Sequence, residues 1–454
     1  MKQKQDERLG TEKLGKLILG MALPQLAAQI INVLYNIVDR IYIGHIEDYG
    51  QLALTGVGVT FPVLMIISAF SSLAGAGGAP LASMKLGRKD YEGASKILGN
   101  STSLLITFSA ILTVFFMIFK KPILYAFGAS DNTIVYANDY ITIYLIGTIF
   151  VQLSLGLNAY ISAQGFAKTA MLSVVIGAVT NIILDPIFIF GCNLGVKGAA
   201  LATIISQATS AAWVVRFLTS QKSVIRIERR NMRLEKTIVF LIASIGISPF
   251  IMQSTESLVS ITLNSGLQKY GGDLYVGTMS IMLSIMQIIV VPIQGFSQGA
   301  QPIMSYNYGA EKYERVAGTF KRLLAICLGS SLIMAGAAVC MPQMFASVFT
   351  QDRALVDLTV QVMPIYFAGI TIFGIQMACQ GLFLATGQAK ISLVIAILRK
   401  LVLLVPLALI LPRFFGVMGV YYAEPIADVA SVTITIILFL SSYRKIFKKS
   451  KSVS

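Results

Sequence analysis

The sequence predicts an all-α polytopic membrane protein: twelve transmembrane helices in two pseudo-symmetric six-helix bundles related as parallel repeats. Three observations carry that prediction. The 454 residues are 56% hydrophobic and only 13% charged, with a mean hydropathy of +0.75, whereas a soluble domain uses about 25% charged residues to cover its surface. Apolar runs of about twenty residues, the length that crosses a hydrocarbon core, recur along the whole chain. Landmark residues then return at one fixed interval.

The spans fall near 17–43, 52–76, 96–118, 134–163, 169–190, 197–219, 237–265, 276–304, 319–341, 355–385, 391–411 and 417–441. The first apolar run is long and no A-x-A-like site follows a short one, so no cleavable signal peptide is expected. The organisation predicted is an N-terminal tail (1–16), an N-lobe (17–219), a basic linker (220–236), a C-lobe (237–441) and a basic C-terminal tail (442–454). A net charge of +15 in a soluble chain would point to nucleic acid, but here the charge alternates between loops. Lys85, Arg88, Lys89 and Lys96 follow the second span; Lys222, Arg226, Arg229, Arg230 and Arg233 follow the sixth; Lys312, Arg315, Lys321 and Arg322 follow the eighth. The intervening loops are poor in basic residues, so the positive-inside rule puts both termini in the cytoplasm. No nucleic-acid partner is expected; the partner surface is the lipid bilayer.

The repeat interval is 222 residues. APLASMKLGRKDYEGA follows the second span and QPIMSYNYGAEKYERVA the eighth, with Pro80 to Gly87 and Pro302 to Gly309 equally spaced. AQGFAK and ATGQAK keep that register at Gly165/Gly387 and Lys168/Lys390, as do Phe127/Phe349 and Tyr144/Tyr366. Six spans per repeat give both copies one orientation, related by an axis along the membrane normal. Such proteins place substrate between halves that rock against each other.

Polar residues inside the spans mark the chemistry, since each costs about 2.5–3.5 kcal/mol at the bilayer centre when charged. In the first span Gln25, Gln29, Asn32, Asn36 and Asp39 are spaced 4, 3, 4 and 3 apart. They share roughly 80° of the helical wheel, one polar stripe ending in an acid. In TNIILDPIFIF, Asn181 and Asp185 stand one turn apart, and Pro186 removes a donor and bends the span. Thr203 lies in the sixth span. Two acids in low dielectric cannot both ionise cheaply, and this oxygen set equally suits Na⁺, so the coupling ion is H⁺ or Na⁺. The alternative is that each group makes a helix-packing hydrogen bond. The seventh span carries Gln253 and Glu256, the latter a second coupling group or the anion that attracts a cationic substrate. Arg399 and Lys400 sit near the middle of the eleventh span, and Glu424 and Asp428 share a face of the twelfth; the four are expected to neutralise one another in a structural or gating role.

Catalysis and cofactors are not expected. GTEKLGKL has phosphate-loop spacing, but Leu17 replaces the Ser/Thr and no strand precedes it. Cys192, Cys327, Cys340 and Cys379 are scattered without a CxxC, and His45 is a lone interfacial histidine, so no resident metal centre is predicted.

The two repeats, the PLASMKLGRKDYEGA and PIMSYNYGAEKYERVA loops, NIILDPIFIFG followed by GVKGAALAT, and ATGQAK together resemble the multidrug and toxic compound extrusion (MATE) family, in its group of small bacterial multidrug exporters. The resemblance covers nearly the entire chain. It implies a cation site at Asp39, Asn181, Asp185 and Thr203, bending of the first helix at Pro24, and coupling at Glu256. One branch of that family has an aspartate in its tenth span, where this chain has Gln376 and Gln380. The implied activity is secondary active antiport, exporting bulky organic cations in exchange for H⁺ or Na⁺ by a functional monomer. The drug site is expected to be large and apolar, with Gln29, Asn32, Tyr35, Asn36, Met65, Gln253, Met282, Met286 and Gln287 as lining; methionine adapts to varied ligands. The alternative is a flippase of the same superfamily for lipid-linked oligosaccharides, which would need a cavity rich in Arg or Lys to hold a pyrophosphate.

Overall fold

A computed structural model describes residues 2–47, 49–350 and 352–447, with side chains described from residue 7 onward. The final basic residues of the expected C-terminal tail, Lys448, Lys449 and Lys451, lie outside the described residues. The fold is helical throughout, as predicted. Its elements are α1 (Lys2–Thr11), α2 (Leu14–Gly44), α3 (Gly50–Gly87), α4 (Tyr91–Ala126), α5 (Ile134–Ile146), α6 (Thr148–Ala163), α7 (Ala167–Pro186), α8 (Val196–Thr219), α9 (Lys236–Gly271), α10 (Asp273–Gly309), α11 (Tyr313–Cys340), α12 (Pro342–Phe349), α13 (Arg353–Phe367), α14 (Ile370–Ala385), α15 (Ala389–Ile397), α16 (Val405–Ile410), α17 (Pro412–Phe415) and α18 (Met418–Phe447). Among the described residues ten helical segments are each long and apolar enough to cross a membrane, and counting each of two bent pairs, α5–α6 at 60° and α13–α14 at 43°, as one span brings the number to twelve.

The 222-residue interval is written into the helix boundaries. The starts of α2 and α9, α4 and α11, α6 and α14, α7 and α15, and α8 and α18 all keep it, from Leu14/Lys236 to Val196/Met418. So do the breaks. Gly147 separates α5 from α6, and Gly369 separates α13 from α14. A Cβ on Gly147 would lie 2.0 Å from the Ile204 side chain, and one on Gly369 would lie 2.7 Å from the Asp428 Cβ. Each broken span bends where another helix presses on bare backbone. Lys89 and Glu311, also 222 apart, both adopt left-handed backbone with φ of 60° and 59° in the loops before α4 and α11.

Several helices outrun the predicted spans. α3 runs to Gly87 and α10 to Gly309, so the PLASMKLG and PIMSYNYG segments are helical with Pro80 and Pro302 inside. At about 1.5 Å per residue such helices exceed a roughly 30 Å core and project from it. The expected disturbance at Pro186 is present as a π-helical turn, Ile187–Gly191, directly after the proline. A second π-helical turn, Leu398–Leu404, interrupts the eleventh span and carries both of its cations.

Compact packing divides the chain differently from the linker-based lobes expected from sequence. One unit comprises the N-terminal helix and Ala27–Ser254; the other comprises Glu12–Leu26 and the chain from Thr255 onward. The divisions fall inside α2 and α9, shortly after Pro24 and Pro249. Within the first unit α3 packs on α4, α5 and α6, and α8 on α6 and α7; within the second α10 packs on α11 and α14, and α14 on α18. The basic linker belongs to the first unit and is pinned there. Gln164 Oε1 accepts from the backbone N–H groups of Val224 (2.7 Å) and Ile225 (3.1 Å) and from Ser223 Oγ (3.0 Å), while Asn100 Oδ1 accepts from Glu235 N at 2.7 Å.

Candidate functional site

In the first unit three of the four residues expected to form a cation site, Asp39, Asn181 and Asp185, come together. Asn181 and Asp185 project from one face of α7 and are fully buried; Asn181 Nδ2 donates to Asp185 Oδ1 at 3.2 Å. Asp39, on α2, brings its carboxyl within hydrogen-bonding reach of Asp185. Thr203, on α8, donates to Ala199 O at 3.0 Å, leaving its lone pairs free to accept. Arg40 turns its guanidinium over the Phe61 ring, 5.3 Å from the centroid.

The decisive feature is what these oxygens lack. Asp39 Oδ1, Asn181 Oδ1 and Asp185 Oδ2 are sealed from solvent and have no hydrogen-bond partner. Buried acceptors are nearly always satisfied, because leaving one unpaired costs about 1–3 kcal/mol, more when it is charged. Neither carboxylate has an ion pair among the described residues. These oxygens, one on α2 and two on α7, can only accept when the carboxyls are ionised, which is the chemistry a proton or a small monovalent cation satisfies.

Sequence reasoning missed the wall of this site. Tyr140 and Tyr144 of α5 are buried with their rings stacked, centroids 6.3 Å apart. The Tyr140 hydroxyl lies near the Thr203 side chain and within electrostatic reach of Asp39. The available signal was their i, i+4 spacing in a membrane span, which puts two phenols on one face. Tyr144 had served only as a repeat landmark with Tyr366.

The second unit holds a differently built cluster. Arg399 donates through Nε to Asp428 Oδ1 and through Nη2 to Glu424 Oε1, both at 2.8 Å, and its guanidinium lies 4.5 Å from the Phe373 ring centroid. The expected neutralisation of Arg399 by the α18 acids is therefore present in the geometry. Lys400 differs: its Nζ donates to Glu256 Oε1 of α9. Adjacent residues on a helix point in different directions, so two neighbouring cations reach different helices. Tyr366, the repeat partner of Tyr144, lies beside Glu424, Asp428 and Arg399.

The proposed lining residues scatter. On α2 Gln25, Gln29 and Asn36 of the stripe and the neighbouring Tyr35 are half-buried and Asn32 is exposed; Asn36 Nδ2 returns to Asn32 O at 2.6 Å. Met65 is half-buried and Gln287 exposed. Gln253 is occupied at both ends, accepting from Ser72 Oγ at 2.7 Å and donating to Ser68 Oγ at 2.8 Å. Met282 departs from the expectation: it has no accessible surface and packs in the core of the second unit, with Met286 partly buried against the same core. Being apolar, both fill the seam between α10 and its neighbours. Pro24 is buried within an unbroken α2. Among the described residues no group of three or more His, Cys, Asp or Glu could hold a metal ion.

The MatE family model matches the chain twice, over residues 24–187 and 249–410. The chain belongs to the MATE family. The two matches begin at Pro24 and Pro249, the prolines of the equivalent helices α2 and α9. The multidrug export protein MepA of Staphylococcus aureus is 27% identical over 420 residues, 91% of this chain and 90% of that protein, and the MepA of Staphylococcus haemolyticus is similar to the same extent. The MATE multidrug transporter DinF-BH superposes with a TM-score of 0.90 at 34% identity, covering 98% of this chain and 99% of that one. A MATE crystal structure in the bent conformation shares the fold, with a TM-score of 0.92 at 23% identity over 99% of each chain. The MATE relatives are transporters and not enzymes, and this MATE chain is a multi-span membrane transporter.

Proposed function

We propose that the protein is a multidrug exporter of a bacterial plasma membrane, with both termini cytoplasmic, that exchanges bulky organic cations for H⁺ or Na⁺ using Asp39, Asn181, Asp185 and Thr203. The observation that carries this reading is the set of three buried acceptor oxygens without a partner. A proton shared between the two carboxyls, or a Na⁺ ion bound by these oxygens, would satisfy them. Exchange of one monovalent cation for one such ion moves no net charge across the membrane, so it avoids the roughly 2.3 kcal/mol per 100 mV that exporting a charge alone would cost.

The ion acts by differential binding to two states of α2, the condition for driving a conformational change. Pro24 cannot donate to the carbonyl of Gly20, so α2 is weakest just before the point where it passes from one compact unit to the other. Neutralising the Asp39 carboxylate removes repulsion from Asp185 and lets the helix rearrange about that proline. The names of the MepA relatives and of DinF-BH support organic drugs as substrates. The flippase reading finds less support: Arg399 is held by two acids and Lys400 by a third, which leaves neither an uncompensated cation for pyrophosphate.

The test is ethidium efflux from drug-sensitive cells expressing the wild type or Asp39→Asn, with a protonophore and with Na⁺ replaced by K⁺. Loss of efflux in the variant together with sensitivity to the protonophore alone supports H⁺ exchange at this site; sensitivity to Na⁺ removal moves the same residues to Na⁺. Normal efflux by Asp39→Asn rejects the site.

A further inference from the structure

Five charged side chains gather in the second unit, and their charges do not balance. Arg399 and Lys400 face Glu256, Glu424 and Asp428, so the ionised cluster carries one net negative charge. Access to its acids is also uneven. The side chains of Glu424 and Asp428 are 4% and 0% exposed, whereas that of Glu256 is 59% exposed although its partner Lys400 is only 6% exposed. The one open carboxylate is gripped from behind by a buried ammonium.

We infer that Lys400 is a tethered cation occupying a substrate subsite, and that a monovalent organic cation binds Glu256 by displacing it. The inference rests on the cation-export reading and adds to it an internal competitor for the substrate.

The exchange is physically economical. A cation arriving at Glu256 replaces a cation, so no carboxylate is left bare at either stage; breaking a buried pair without replacement is what makes such pairs costly to lose. The displaced ammonium has somewhere to go. Glu424 already acts on Lys400 electrostatically, Arg399 neutralises only one of the two α18 carboxylates, and Asp428 Oδ2 is buried without a hydrogen-bond partner. Lys400 moving inward takes the Arg399–Glu424–Asp428 trio from one net negative charge to none. Both cations stand on the π-helical turn Leu398–Leu404, a local departure from regular helix of the kind that accompanies functional rearrangement. The step involves ion pairs only, with no covalent bond made or broken. It also discriminates: a neutral or anionic compound offers no charge to replace the ammonium, so the subsite rejects it.

Ethidium binding to the purified full chain in lipid nanodiscs tests this by fluorescence titration of the wild type, Lys400→Met, Glu256→Gln and the double variant. Lys400→Met should bind about tenfold more tightly because the competitor is gone, and Glu256→Gln about tenfold more weakly. In the double variant, loss of Lys400 should bring no gain, and removing both charges strands neither member of the Lys400–Glu256 pair. Unchanged or weaker binding by Lys400→Met overturns the inference, as does an equal gain without Glu256. Saturable binding by the wild type that ignores Lys400 rejects this inference alone. Absence of saturable binding by the wild type rejects the cation-export reading and this inference with it.

Discussion

Each unit buries a tyrosine near its membrane acids, Tyr140 beside Asp39 in the first and Tyr366 beside Glu424 and Asp428 in the second, yet the two units treat those acids in opposite ways. In the first unit Asp39 and Asp185 face each other with no ion pair among the described residues, and each keeps a carboxylate oxygen without a partner. In the second unit the α18 acids are tied to one guanidinium by two bonds of 2.8 Å. One duplicated frame thus carries an acid pair without a cation from the described residues, the pair proposed to take a mobile ion, and another whose cation is covalently part of the chain. The difference separates transport from stability: removing a charge should spare the fold in the first unit and damage it in the second.

The largest effect is expected at Arg399. Arg399→Met leaves two buried carboxylates without their cation and should lower stability by about 3–5 kcal/mol, read as early thermal unfolding in detergent. Arg399→Met/Glu424→Gln/Asp428→Asn, which removes all three charges, should recover most of that loss. A single variant that melts like wild type would break the comparison. Asp39→Asn and Asp185→Asn should do the reverse. Each removes a repelling charge, so melting should stay within about 1 kcal/mol of wild type, while ethidium efflux falls below about a tenth because the ion no longer distinguishes two states. Unfolding of Asp39→Asn on the scale of Arg399→Met would show that the pair is structural.

How much of this was legible in the sequence follows the same divide. Residues that share a helix face were readable, because α-helical periodicity puts Asn181 beside Asp185 and Glu424 beside Asp428. The repeat interval was readable too, since Gly165/Gly387 and Pro80/Pro302 mark backbone positions common to both halves. Contacts across helices were not: nothing in RK at 399–400 says that neighbouring cations reach α18 and α9 respectively. Tyr140 and Tyr144 escaped for the same reason, as aromatic residues in a membrane span read as packing. Met282 failed in the other direction, because an adaptable side chain serves a core as well as a drug site. The lobe boundaries were placed at the charged linker, whereas the packing divides inside α2 and α9. Composition marks a loop but does not mark where one helix changes partners.

The linker offers a smaller test of a feature the second unit lacks. Gln164 in the first half is matched in register by Thr386, whose hydroxyl donates to Leu382 O at 2.8 Å. Gln164→Ala would strand the N–H groups of Val224 and Ile225, each worth about 1–3 kcal/mol if left unsatisfied. Faster proteolysis within 220–235, with melting changed by no more than that amount, is the expected result. Unaltered cleavage would mean that the Asn100 contacts alone hold the segment.

The smallest effect belongs to the loop before α4, where the repeats again diverge. Asp90 caps α4 by accepting from Gly93 N at 2.8 Å and pairs with Lys85 Nζ at 2.7 Å; at the equivalent positions stand Lys312, whose side chain makes no cap bond to α11, and Asn307, which accepts from Arg315 Nε at 3.1 Å. The Lys85 hydrogen bond, and after it the Gly93 N–H, hold the Asp90 carboxyl below its ordinary value of 3.8. A depressed carboxylate stabilises the fold above its unfolded value, and that contribution disappears as pH falls through the lower folded value. Asp90→Ala should therefore cost about 1 kcal/mol at neutral pH, the usual worth of a helix cap, and the gap between variant and wild type should close below pH 3.8. A cost for Asp90→Ala that persists into acid would show that the side chain acts by packing and not by its charge.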